Sequence, residues 1–324
     1  MNELVLPEPG LPNLLGAIAL PEAVELAGNR AMQRYIDFFT VTIRNDGTRE
    51  AYARATADFF DWCHSNKLAF EKIAPHHVAM YIQLLTKTRS APTVKLRLAA
   101  IRMLYDWLVV GQIVEFNPAA AVRGPKHVVK EGKTSVLTPE EAAAIIKKID
   151  VSTPKGLRDR AVIGVMVFSF ARVSATLSMD VEDYFSQSGA KWLRLHEKGS
   201  KHHVVPAHHR VIEYLHDYLE AGMLKDRFGT PLFRTIGPNG ELTANRMHRS
   251  DALRMIKLRA KEAQIESSVS CHSWRATGIT TYLKNGGTLE KAAQIAAHES
   301  PRTTKLYDRT SNAISLDEIE RVRI

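Results

Sequence analysis

Between residues 29 and 110 the apolar positions recur at helical spacing four times. Met32, Ile36, Phe39 and Ile43 share one face of a first helix. Tyr52, Thr56, Phe59 and Cys63 line a second that begins near Thr48. Val78, Tyr81, Ile82 and Leu85 line a third, and Val94, Leu98, Ile101, Tyr105 and Leu108 a fourth that ends near Val110. The i, i+3, i+4, i+7 recurrence is that of amphipathic helices with one buried stripe. Asn45-Asp46-Gly47 reads as a turn between the first two. The pattern predicts a small all-α domain over residues 29–118. It is preceded by a partly ordered arm, residues 1–28, rich in Pro, Gly, Leu and Ala.

The periodicity then breaks. Arg123-Gly124-Pro125-Lys126-His127, followed by Lys130, Glu131 and Lys133, reads as part of an extended basic linker over residues 119–136, because Pro and Gly stop helices and like charges stretch the chain. A second domain, residues 137–311, opens on Thr138-Pro139-Glu140-Glu141, with an N-cap, a proline at the first helical position and a capping-box acceptor. That helix is expected to run to about residue 149, and a strongly apolar one from about 157 to 171, ending just before Arg172. Alternating positions predict short strands near 181–185, 192–196 and 203–206, with turns at Ser188-Gly189 and Lys198-Gly199-Ser200. Helices follow over about 209–222, 247–264, 273–284, 288–297 and 301–306. The expected fold is therefore mainly α, with a small antiparallel β-sheet in the second domain. In residues 312–324, Leu316, Ile319 and Val322 recur every three positions. They suit a short helix that needs a groove to dock in, since it is too short to be stable alone.

Charge narrows the partners. The 324 residues carry a formal net charge of +9 and a pI near 9.5, which favours a polyanion, nucleic acid being the commonest. The candidate phosphate contacts are Lys95, Arg97 and Arg102 on the fourth helix, Lys126 and Lys130 in the linker, and Lys201 beside the second strand turn. Each also fits an ordinary solvated face. Two cysteines, Cys63 and Cys271, make neither a disulfide framework nor a cysteine zinc site. No apolar run reaches the length of a membrane span, and four glutamates precede the first basic residue, Arg30, so a soluble cytoplasmic protein is expected.

Six residues then form a chemical set: Arg172, Lys198, His272, Arg275, His298 and Tyr307. Cutting and rejoining DNA without metal or nucleotide requires four things. These are a nucleophile, cations on the non-bridging oxygens, an acid for the leaving 5′-oxygen, and a base for the nucleophile's proton. Tyr307 suits the first, because its phosphodiester conserves the bond energy. Arg172 and Arg275 suit the second, since guanidinium is always charged and its fork matches phosphate. His272 lies three residues before Arg275, on one side of a helix start. Lys198 stands in a glycine turn with a reach to the leaving oxygen, and Lys201 is its rival there. His298, nine residues before Tyr307, is placed to donate to the same phosphate. Taken singly, each has a plainer role: Arg172 as a charge at a helix C-terminus, His298 as a satisfied core histidine, Tyr307 as a packed aromatic. The pairs His76-His77, His202-His203 and His208-His209 lack metal-site spacing and read as surface residues; no metal is expected.

In this order the set resembles the tyrosine recombinases of the phage integrase type, over roughly residues 30 to 310. The resemblance rests on Arg172-Val173-Ser174, Lys198-Gly199-Ser200-Lys201 with Val205-Pro206, His272-Ser273-Trp274-Arg275, and Ala297-His298-Glu299-Ser300 leading through Thr304 to Tyr307. It implies a two-domain DNA clamp, arginine clamping by Arg172 and Arg275, Lys198 as general acid, His272 as acid/base, His298 as phosphate donor and Tyr307 as nucleophile. It further implies a 3′-phosphotyrosine intermediate, double-stranded DNA as partner, a homo-tetramer on two DNA sites, no cofactor, and a tail over 312–324 that docks on a neighbouring protomer. The chain departs from the family pattern in three places. Ser169-Phe170-Ala171 replaces Thr-Gly-x, Ala175 stands where a Glu is common, and Ala296-Ala297 replaces Leu-Gly. Two rivals stand beside this reading: a type IB topoisomerase-like nicking-closing enzyme, and a DNA-binding protein with a degenerate site.

Overall fold

The computed structural model describes residues 20–127, 134–197 and 201–308, the side chain of Lys201 excepted. The chain divides into two compact units, Met1–Val128 and Val129–Ile324.

The first unit holds α1 (Glu22–Leu26), α2 (Asn29–Asp37), α3 (Asp46–Ser65), α4 (Pro75–Thr88) and α5 (Ala91–Val110). The predicted stripes meet in one core centred on Phe59, Phe60, Tyr81, Ile101 and Tyr105, except that in the first segment Tyr35 and Phe38 are buried there and Ile36 is not. Three boundaries differ from the sequence expectation. Part of the N-terminal arm is structured, since α1 buries Ala23 and Val24 in that core. Asp46 and Gly47 lie in the first turn of α3 rather than in a separating turn. Asn45 caps the helix, its side chain accepting from the Thr48 amide at 3.0 Å, which satisfies one of the donors a helix start leaves unpaired. At the other end Ala119 and Val122, expected in the linker, are buried against α5, and Arg102 donates to both their carbonyls.

The second unit opens with α6 (Pro139–Lys148), begun by the predicted Thr138–Glu141 capping box. Next come α7 (Pro154–Phe168) and α8 (Val173–Ser178), then an antiparallel sheet of β1 (Tyr184–Gln187), β2 (Ala190–Glu197) and β3 (Lys201–Pro206) in that order. The unit continues with α9 (His209–Ala221), a hairpin of β4 (Arg234–Ile236) and β5 (Leu242–Arg246), and α10 (Arg249–Glu262). It ends with α11 (Cys271–Lys284), α12 (Leu289–Ile295) and α13 (Pro301–Lys305). Buried on nearly every side, α7 packs against α9 and α11. Two glycines permit this closeness: a Cβ on Gly164 would meet the Tyr214 ring at 2.8 Å, and one on Gly278 the Val167 carbonyl oxygen at 2.0 Å. Asp159, fully buried on α7, accepts from Arg158 and from Arg259 of α10, each at 2.7 Å, so the buried charge is paired.

Here too the sequence expectation is adjusted. Residues 181–183 form a 3-10 turn and the first strand starts at Tyr184. The β4–β5 hairpin falls in a stretch whose periodicity predicts no element. The apolar helix stops at Phe168 because Phe170 takes a left-handed φ of 54°. Arg172 therefore sits at the N-cap of α8, not at a helix C-terminus, so complementing a helix dipole does not explain it. Among the described residues no helix is long and apolar enough to cross a membrane.

Candidate active site

Five of the six candidate residues converge on one face of the second unit. Arg172 starts α8, His272 and Arg275 lie one turn apart at the start of α11, His298 follows α12, and Tyr307 follows α13. Lys198 lies outside the described residues, as does Lys130; β2 ends at Glu197, one position before Lys198.

Arg275 is the fixed point. It is 1% exposed, and its two terminal nitrogens donate to the carbonyls of Ala296, at 2.6 Å, and Phe170. Burial and the neighbouring Arg172 cation push its pKa down to about 10, while the Tyr307 hydroxyl and Glu197 pull the other way. It stays charged at neutral pH. The two accepting carbonyls belong to peptides that adjoin left-handed residues, Phe170 (φ 54°) and Ala297 (φ 47°). These are the two positions where the family pattern carries glycine. The backbone geometry is thus kept without the residue that adopts it most readily, and backbone strain sits where the arginine is anchored.

Around it the histidines are held neutral. Burial, then the charges of Arg275 and Arg172, lower His298 to about 4. His272 is lowered in the same way, by desolvation first and then by Arg275, Arg172 and Arg249, although the residue as a whole stays exposed. His298 Nδ1 lies 2.8 Å from the hydroxyl of fully buried Thr304, and its ring stacks on that of Tyr307, 5.9 Å between centroids and 11° between planes. A Thr304 hydroxyl donating to Nδ1 leaves the ring's one proton on Nε2, where it can serve a further acceptor. The Thr280 hydroxyl donates to the Tyr307 carbonyl at 3.0 Å and fixes the backbone that carries the candidate nucleophile.

Three contributors escape the sequence reading. Glu197, whose carboxylate is buried, binds Arg172 Nη1 at 2.5 Å. Thr304 orients His298. His203, read as a surface residue, donates from Nε2 to the Ile295 carbonyl at 3.0 Å and so ties β3 to the end of α12. Spacing assigns none of these roles: Glu197 and His203 act across distant segments, and Thr304, read in the sequence only as part of the motif, acts through the turn that brings it back to His298. The other histidine pairs are also partly structural: His77 Nδ1 accepts from the Ala74 amide at the start of α4, and His208 caps α9 and stacks on Phe168.

The candidate DNA contacts separate. Arg97 is engaged within its own unit, 2.5 Å from Asp58 and 3.3 Å from the Tyr81 hydroxyl. Arg102 is occupied by the Ala119 and Val122 carbonyls. Both serve the fold there, while Lys95 and Lys126 stay exposed.

Comparison with known proteins agrees with this geometry. Residues 135–313 match the phage integrase family and residues 31–114 the phage integrase N-terminal SAM-like domain. The chain belongs to the phage integrase family, and its activity is that of a tyrosine site-specific recombinase. It is 24% identical over 291 residues to the tyrosine recombinase XerD of Staphylococcus epidermidis, covering 88% of this chain and 95% of that protein. To XerD of Chlorobaculum tepidum it is 26% identical over 297 residues, covering 89% and 94%. Among solved structures, the fold is shared with XerH bound to a palindromic difH substrate (TM-score 0.68, 17% identity, 87% of this chain and 82% of that one). It is shared equally with a lambda integrase dimer bound to a COC′ core site (TM-score 0.65, 16% identity, 88% and 98%).

Proposed function

We propose that this recombinase cleaves duplex DNA with Tyr307, forming a 3′-phosphotyrosine and releasing a 5′-hydroxyl. The Tyr307 oxygen attacks phosphorus as its proton passes to neutral His272. Arg172 and Arg275 hold the two non-bridging oxygens, and His298 Nε2–H donates to one of them. Lys198 protonates the departing 5′-oxygen. Attack by a 5′-hydroxyl from a second duplex then regenerates Tyr307 and completes the exchange, so bonds broken and formed balance without metal or nucleotide. The observation that carries this reading is the convergence of Arg172, His272, Arg275, His298 and Tyr307 from four separate segments, with both histidines held neutral. Relatives named as recombinases make strand exchange the better reading than relaxation of a single duplex or a degenerate site.

On this reading the two units clamp the duplex, with Lys95, Lys126, Lys130 and Lys201 near phosphates, and the enzyme works in the cytoplasm as a homo-tetramer on two sites. The helical unit takes in α1 and the residues as far as Val122, while the linker to residue 136, the catalytic unit to 311 and the tail beyond it keep the boundaries of the sequence reading. The tail, 312–324, lies outside the described residues; its Leu316, Ile319 and Val322 stripe suits docking on a neighbouring protomer. A nicked suicide substrate, which loses a short oligonucleotide after cleavage, tests the assignment. Wild type should give a covalent adduct on a denaturing gel and Tyr307→Phe none, with DNA binding intact. An adduct retained by Tyr307→Phe would move the nucleophile elsewhere.

A further inference from the structure

Glu197 is the last residue of β2 and Arg172 the residue that opens α8, and these two elements pack against each other. Arg172 Nη1 lies 2.5 Å from Glu197 Oε2, with the arginine side chain 35% exposed and the glutamate 6%. A carboxylate taken out of water is unfavourable unless a cation meets it, so this pairing fixes both partners. The bond uses one terminal nitrogen of Arg172 and leaves the outer edge of its guanidinium for another anion. No carboxylate comes from the next turn of α8, where position 175 is a fully buried alanine. Glu197 also stands immediately before Lys198, so the bond ties the strand that leads to the candidate acid to the arginine that holds the phosphate. Finally, its charge offsets the repulsion between Arg172 and Arg275, which would otherwise oppose two cations converging on one site.

We propose that Glu197 is a positioning residue for strand cleavage: its buried carboxylate holds the Arg172 guanidinium in the orientation that binds the scissile phosphate. Donors fixed before the reaction stabilise developing charge without having to reorganise, so the effect falls on the chemical step rather than on DNA binding. The inference rests on the proposed role of Arg172 as a phosphate clamp.

Single-turnover adduct formation on the suicide substrate tests it, with half-site affinity measured in parallel. Glu197→Gln should slow adduct formation by about 10- to 100-fold, the scale for losing a group that orients a ligating side chain, while half-site Kd stays the same. Glu197→Asp should recover part of the rate. A substrate with a neutral methylphosphonate at the scissile position carries no charge for the clamp to neutralise, so on it the deficit of Glu197→Gln should shrink. A merely structural role would slow both substrates alike. Wild-type cleavage by Glu197→Gln, or an equal deficit on both substrates, overturns the proposal. If Glu197→Gln melts below the assay temperature, Glu197→Asp on the same two substrates decides in the same way. Failure of the wild type itself to form an adduct would instead count against the proposed chemistry.

Discussion

At the scale of single residues, the site is built on backbone conformations its own side chains resist. Ala297 holds φ 47° beside the carbonyl that anchors Arg275. A left-handed alanine costs about 1–2 kcal/mol, and glycine's greater freedom in the unfolded chain returns about 0.5–1 kcal/mol of that. Ala297→Gly is therefore expected to stabilise by about 0–1.5 kcal/mol, raising Tm by up to about 3–6 °C, with adduct formation retained. A lowered Tm in thermal unfolding would show that the turn is not strained. Titration gives a second expectation. The folded pKa of His298, about 4, lies below its ordinary value of 6.5, so between these values the unfolded state binds more protons. Stability is then complete above about pH 6.5 and is lost as pH falls towards 4. Urea unfolding across that window should show a shallower acid limb for His298→Gln than for wild type; superimposable curves would contradict the assignment.

At the scale of elements, the crossing of α7 and α11 sets the site, and Gly278 permits it. A methyl there would lie 2.0 Å from the Val167 carbonyl oxygen, backbone that cannot swing away. Gly278→Ala should destabilise by about 1–3 kcal/mol and, by shifting the helix that carries His272 and Arg275, slow cleavage more than half-site binding. Near-wild-type Tm and cleavage would mean the helices separate freely. The same elements show what the sequence exposes and what it hides. The stripes of α2 to α5 and the Thr138 capping box are legible because each is a local pattern. The β4–β5 hairpin is not, since three- and five-residue strands leave too little alternation to read. For Arg97 and Arg102 the sequence shows the charge but not the Asp58 carboxylate or the backbone carbonyls that they also bind. Arg172, His272, Arg275, His298 and Tyr307 were recognisable by residue type and order. Glu197 and Thr304 act only through contacts the fold creates.

At the scale of the whole molecule, the family match spans both units, and a net charge of +9 suits a protein whose partner is DNA. If the tail joins protomers, deleting residues 312–324 should spare binding to a single half-site and weaken cooperative assembly and strand exchange. Tetramers and full-rate recombination by the truncated protein would refute trans docking. The central claim is that Tyr307 becomes bonded to the 3′ end of the cleaved strand. The most direct measurement is mass spectrometry of the proteolysed covalent adduct from the suicide substrate. The account predicts a nucleotide joined through a 3′-phosphate to the peptide that contains Tyr307, and to its phenolic oxygen. Phosphate carried by another residue, or a 5′-linked nucleotide, would contradict it.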